Sequence, residues 1–61
     1  MPIVQVHLIE GRTVEQKRKL VAEMTKAVVD SLDVKAEDVR IILSDMTKQD
    51  YSVGGVLFID K

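Results

Sequence analysis

Cysteine is missing from all 61 residues, so no disulfide can staple this chain and no thiolate can hold a metal. The single histidine, His7, cannot build a zinc site on its own. Aromatic residues number only two, Tyr51 and Phe58, against an apolar content of 46%. The apolar surface is therefore mostly aliphatic, which suits packed sheets and helices. Nine basic residues nearly balance ten acidic ones, and a net charge of −1 lacks the basic stripe that a nucleic-acid surface needs. No apolar run approaches the ~20 residues of a membrane span. No signal peptide leads the first predicted strand, and the expectation is a cytoplasmic protein with neither membrane nor nucleic acid as partner. Neither a Ser-His-Asp pattern nor a glycine-rich phosphate loop occurs.

What remains is one small domain, residues 1–61, that buries only about 60% of the surface its unfolded chain exposes. With disulfides and metals excluded, oligomerisation is the staple left to it. The run Pro2 to Ile9 is β-branched and reads as a strand, with Val4, Val6 and Leu8 on one face and Ile3, Gln5, His7 and Ile9 on the other. Apolar residues on both faces predict that both are covered. Glu10-Gly11-Arg12 forms a turn, and Thr13-Val14-Glu15-Gln16 fits a capping box that starts a helix. Val14, Leu20, Val21, Met24, Ala27, Val28 and Leu32 make its apolar stripe, with Lys17, Arg18, Lys19, Glu23 and Lys26 on the remainder.

The polar segment Asp33 to Asp38 has room for one tight helical turn. A second strand follows over Val39 to Met46, with Val39, Ile41 and Leu43 on one side and Arg40, Ile42, Ser44 and Met46 on the other. Strand, helix and strand define a β-α-β unit, right-handed with parallel strands. Beyond the loop Thr47 to Asp50 and the isolated Tyr51, residues Ser52 to Ile59 read as a hairpin turning at Gly54-Gly55. A two-stranded ribbon is not stable alone. Its Val56, Leu57, Phe58 and Ile59 are expected to pack on a neighbouring subunit.

Pro2 carries the chemistry. A proline behind the first methionine becomes a secondary amine once Met1 is trimmed, and its ring holds the lone pair in a fixed direction. As a plain structural residue it would merely open the strand, where it costs no ladder hydrogen bond. Arg40 is the other unusual residue, a charge within a β-branched strand.

In Met-Pro-Ile at the start, Glu10-Gly11-Arg12, Glu15-Gln16-Lys17, Val39-Arg40-Ile41-Ile42 and Gly54-Gly55, in register over essentially the whole length, the chain resembles the 4-oxalocrotonate tautomerase family. The resemblance implies the tautomerase fold and a cofactor-independent isomerase of 2-hydroxydienoate acids such as 2-hydroxymuconate, of the kind met in aromatic-compound catabolism. It implies Pro2 as the catalytic base, Arg12 and Arg40 as substrate-binding arginines, Tyr51 as the aromatic wall and Ile9 as part of the apolar lining. It also implies a homohexamer, a trimer of dimers, with each site built from more than one subunit. Tyr51 departs from the phenylalanine of the best-known members and brings a hydroxyl to the wall.

Arginine suits carboxylates because its planar fork makes paired, charge-assisted hydrogen bonds. Arg12 is assigned the distal carboxylate and Arg40 the carbonyl or hydroxyl end, where enolate charge develops. Two cations gathered at the proline amine would disfavour its protonated form, and the expectation is a lowered pKa. Two alternatives stand beside this: a related proline-based hydratase or dehalogenase of unsaturated acids, and a non-catalytic oligomer in which Met1 stays on Pro2. His7 reads as a packing or interface residue, and Glu10, Asp45 and Asp50 as turn and surface charges.

Overall fold

Thr13 decides where the helix begins. Its backbone is extended (φ −78°, ψ 162°), its Oγ1 accepts from the Gln16 N–H at 3.1 Å, and Gln16 Oε1 accepts in return from the Thr13 N–H at 2.9 Å. Two donors that a helix start leaves open are thereby satisfied, as the Thr-Val-Glu-Gln run predicts. In the computed structural model, which describes residues 1–61, helix α1 (Val14–Leu32) follows at once. It ends at Asp33, whose left-handed backbone (φ 55°, ψ 49°) returns its N–H to the Val29 carbonyl at 3.0 Å. A short polar side chain is among the few that tolerate this conformation.

On either side of α1 lie β1 (Ile3–Ile9) and β2 (Arg40–Met46), paired in parallel from Ile3 opposite Arg40 to Ile9 opposite Met46. The expected β-α-β unit is present. One 3₁₀ turn, Ala36–Asp38, leads into β2, and the strand starts one residue later than predicted because Val39 closes that turn through its N–H to the Ala36 carbonyl at 3.1 Å. Val4, Val6 and Leu8 of β1 and Ile41 and Leu43 of β2 are half-buried beneath α1, which presents Leu20, Val21, Met24, Thr25, Val28 and Val29.

The helix stripe departs from the predicted one. Val14 and Leu32 are 62% and 59% exposed. From first to last residue the 19-residue helix is about 27 Å long and a seven-residue strand about 20 Å, so the helix is longer than the ribbon it covers. Ala27 is exposed as well, and Thr25 and Val29 take places on the stripe.

After β2 the chain makes a 3₁₀ turn, Lys48–Asp50, and a hairpin of β3 (Ser52–Val53) and β4 (Val56–Leu57). Gly54 and Gly55 turn it with φ of 60° and 84°, the sign that hairpin turns of this length require. The hairpin is shorter than expected. Phe58–Asp60 forms a 3₁₀ turn instead of continuing β4, because the Phe58 N–H closes the ribbon on the Tyr51 carbonyl at 2.8 Å and the chain before Tyr51 is itself coiled.

No residue of the 61 is buried. The radius of gyration, 14.5 Å, exceeds the ~10.5 Å of a compact chain this long, and the extents are 42 × 24 × 13 Å. Accessible surface is 4785 Å². A globular monomer of this mass would expose about 4,000 Å², and the surplus matches one partner's share of a standard interface. No helix is long and apolar enough to cross a membrane.

Candidate active site

Strand β1 separates the residues expected to work together. Pro2 is half-buried at its start, and its carbonyl accepts the Arg40 N–H at 3.0 Å, so proline and Arg40 share one end of the ribbon. Ile9 and Arg12 stand at the other end, beyond a strand about 20 Å long. Tyr51 belongs to the arm that leaves β2 from this second end. Within one protomer the structure therefore brings Pro2 to Arg40 and Ile9 toward Arg12, and leaves the two groups apart. Met1 is 77% exposed at the tip, ahead of Pro2.

Both arginines are held and yet free to bind. Arg12 Nη1 donates to the Ile9 carbonyl at 2.8 Å, and Arg40 Nη1 donates to the Glu37 carbonyl. Neither is ion-paired, since the two salt bridges of the chain are Lys17–Asp45 and Arg18–Glu15. One N–H on a backbone carbonyl fixes each guanidinium and leaves the other donors for an anion. Gly11, at φ 116°, lets the chain turn sharply enough to set Arg12 between strand and helix.

Tyr51 is locked through Phe58: the rings meet edge to face with centroids 6.0 Å apart, and the backbones share the 2.8 Å bond described above. Its hydroxyl bonds to no group of the chain. His7 is exposed opposite Ser44 on the face away from α1, with no carboxylate bonded to it. No three His, Asp or Glu side chains converge as metal ligands would.

Sequence reasoning missed one contact at the Arg12 end. Lys17 Nζ donates to Asp45 Oδ2 at 2.7 Å, joining the first turns of α1 to the end of β2. Asp45 is thus more than a surface charge. It stands opposite Leu8, on the helix-facing side of the ribbon, and strand alternation together with Lys17 lying four residues before Val21 held that signal. Beside the pair is a cavity of about 200 Å³ lined by Leu8, Arg12, Gln16, Lys17 and Leu20.

Fold and site together define a small β-α-β protein with a proline at position 2 and two arginines outside its ion pairs. The family model described as tautomerase enzyme matches residues 2–61, and the chain belongs to the tautomerase family. It is 44% identical over 57 residues to a 2-hydroxymuconate tautomerase of Pseudomonas putida, a match covering 93% of this chain and 90% of the relative. A solved 4-oxalocrotonate tautomerase isozyme of Methylibium petroleiphilum superposes with a TM-score of 0.94 at 47% identity, over 97% of this chain and 92% of that one. A heterohexamer 4-oxalocrotonate tautomerase of Chloroflexus aurantiacus gives 0.93 at 28% identity, over 98% and 97%. Tautomerases are isomerases, and this chain is an enzyme of that class.

Proposed function

We propose that this protein is a cofactor-independent tautomerase of 2-hydroxydienoate acids such as 2-hydroxymuconate, with Pro2 as proton carrier once Met1 is removed. The amine takes the proton of the 2-hydroxyl and the dienolate charge spreads along the conjugated chain. The protonated amine then returns that proton to a chain carbon. No atom is gained or lost, and the product is the conjugated keto acid. Arg40, beside Pro2, stabilises the developing enolate, the largest electrostatic contribution in such reactions. Arg12 binds the distal carboxylate through its fork. Tyr51 and Ile9 close the site against water, which strengthens both interactions.

The observation that carries this reading is the pair of unpaired guanidinium groups at opposite ends of the β1–β2 ribbon. A second copy laid antiparallel by a two-fold axis sets the Pro2 end of one protomer against the Arg12 end of the other. The same reading makes the cytoplasmic protein a homohexamer, a trimer of dimers. A protomer without buried residues and the hexameric relative of C. aurantiacus support it. Substrate class follows the P. putida relative, which is named for 2-hydroxymuconate.

The test compares protein that retains Met1 with processed protein, each defined by intact mass, in ketonisation of 2-hydroxymuconate followed by ultraviolet absorbance. Acylation removes the basic lone pair, so the Met1 form should be nearly inactive. Equal rates would move the base elsewhere.

A further inference from the structure

We propose that the Lys17–Asp45 ion pair positions Arg12 and thereby sets the affinity for the distal carboxylate of a dicarboxylate substrate. This rests on the function proposed above. Arg12 occupies the turn between β1 and α1, and the turn has two anchorages. On the strand side, the Glu10 N–H donates to the Met46 carbonyl at 2.8 Å. On the helix side, the capping box and the Lys17 N–H to Thr13 carbonyl bond at 3.1 Å tie the turn to α1, and Arg12 Nη1 on the Ile9 carbonyl at 2.8 Å places the guanidinium where strand end and helix start meet.

The first apolar side chain of α1 to be half-buried is Leu20, since Val14 is 62% exposed. Between Leu8 below and Leu20 above lies the cavity of about 200 Å³, and Arg12 and Lys17 both border it. Across this gap the direct side-chain bond from helix to sheet is Lys17 Nζ to Asp45 Oδ2, 2.7 Å long and bridging 28 positions of sequence. The other ion pair, Arg18–Glu15, lies within α1 and has no bearing on where the helix sits. With side chains 29% and 43% exposed, Lys17 and Asp45 contribute little to stability, and their effect is one of placement. A guanidinium that must meet a carboxylate with both prongs tolerates little displacement.

The experiment measures kcat and KM for a dicarboxylate, 2-hydroxymuconate, and for a monocarboxylate, 2-hydroxypenta-2,4-dienoate. Lys17→Met keeps the stem and removes the charge, and Asp45→Asn keeps the shape and removes the charge. Each should raise KM for the dicarboxylate by up to about fivefold, the worth of one exposed pair, while kcat on both substrates and KM for the monocarboxylate stay within about twofold. The double variant Lys17→Asp with Asp45→Lys should recover most of the lost affinity. An unchanged dicarboxylate KM, or an equal rise on both substrates, would overturn the proposal; if Lys17→Met fails to fold, Asp45→Asn decides alone. Arg12→Ala in the same series separates the two levels. If it fails to distinguish the substrates, the proposed function is at fault; if it distinguishes them and the ion-pair variants do not, only the positioning role falls.

Discussion

The two ends of the β1–β2 ribbon are built on different plans. At the Pro2 end a single backbone bond from Arg40 joins the strands and the chain projects into solvent at Met1. At the Ile9 end the ribbon is closed by the Glu10 to Met46 bond, a capping box, the Lys17–Asp45 pair and the arm that carries Tyr51. Under the proposed function one end offers the base and the other an anchored carboxylate receptor. On that reading neither end is a site alone, and the difference leaves the proline end open while the Arg12 end is held in place.

The most severe way to break the comparison is to disable one end at its chemical group. Pro2→Ala should lower kcat by about 10²- to 10⁴-fold, the range for a positioned acid–base group, measured at saturating 2-hydroxymuconate. Arg40→Ala and Arg12→Ala should each cost about 2 to 4 kcal/mol in kcat/KM. The arginines differ in kind: Arg12→Ala should harm dicarboxylates more than monocarboxylates, whereas Arg40→Ala should harm both. Identical losses on both substrate types would refute the division of labour between the ends.

A mixing experiment sharpens it further. Pro2→Ala and Arg12→Ala chains refolded together should regain about a quarter of wild-type activity, because random two-fold pairing yields intact sites in that proportion when proline and Arg12 come from different copies. No recovery would mean that the ends do not meet across copies. Phe58→Ala tests the Tyr51 arm. Losing the edge-to-face contact should cost about 0.5 to 1.5 kcal/mol beyond the buried area, seen as earlier dissociation on dilution in native mass spectrometry. The smallest effect is Thr13→Ala, which should cost about 1 kcal/mol in thermal unfolding at fixed protein concentration through the lost cap.

Much of the fold was legible because its signals are local. The capping box is four residues long, the glycine pair turns its own hairpin, and strand alternation puts Val4, Val6 and Leu8 beneath the helix. The end of the hairpin was not legible, because whether Phe58 extends β4 depends on what lies opposite, and Lys48–Asp50 coils away. Nor was the exposure of Val14 and Leu32, since periodicity describes a helix face but not the length of the sheet under it. Pro2 and Arg40 stood out by position and charge, whereas the site roles of Arg12, Ile9 and Tyr51 came from motif resemblance, which names residues without saying how far apart they lie. Strand length alone separates them, by about 20 Å. The Lys17–Asp45 pair spans 28 positions and belongs to no motif.

A protomer in which nothing is buried has a genetic consequence. Under the proposed assembly each copy's proline works with its partner's arginine and its own Arg12 with the partner's proline, so a defective copy spoils a site that its own residues do not complete. A cell making two versions of this chain would assemble mixed particles, and a chain defective at both Pro2 and Arg12 would depress activity further than its own share of the copies. The defect would weigh most when the faulty chain still folds and associates normally, and least when it cannot join the particle at all.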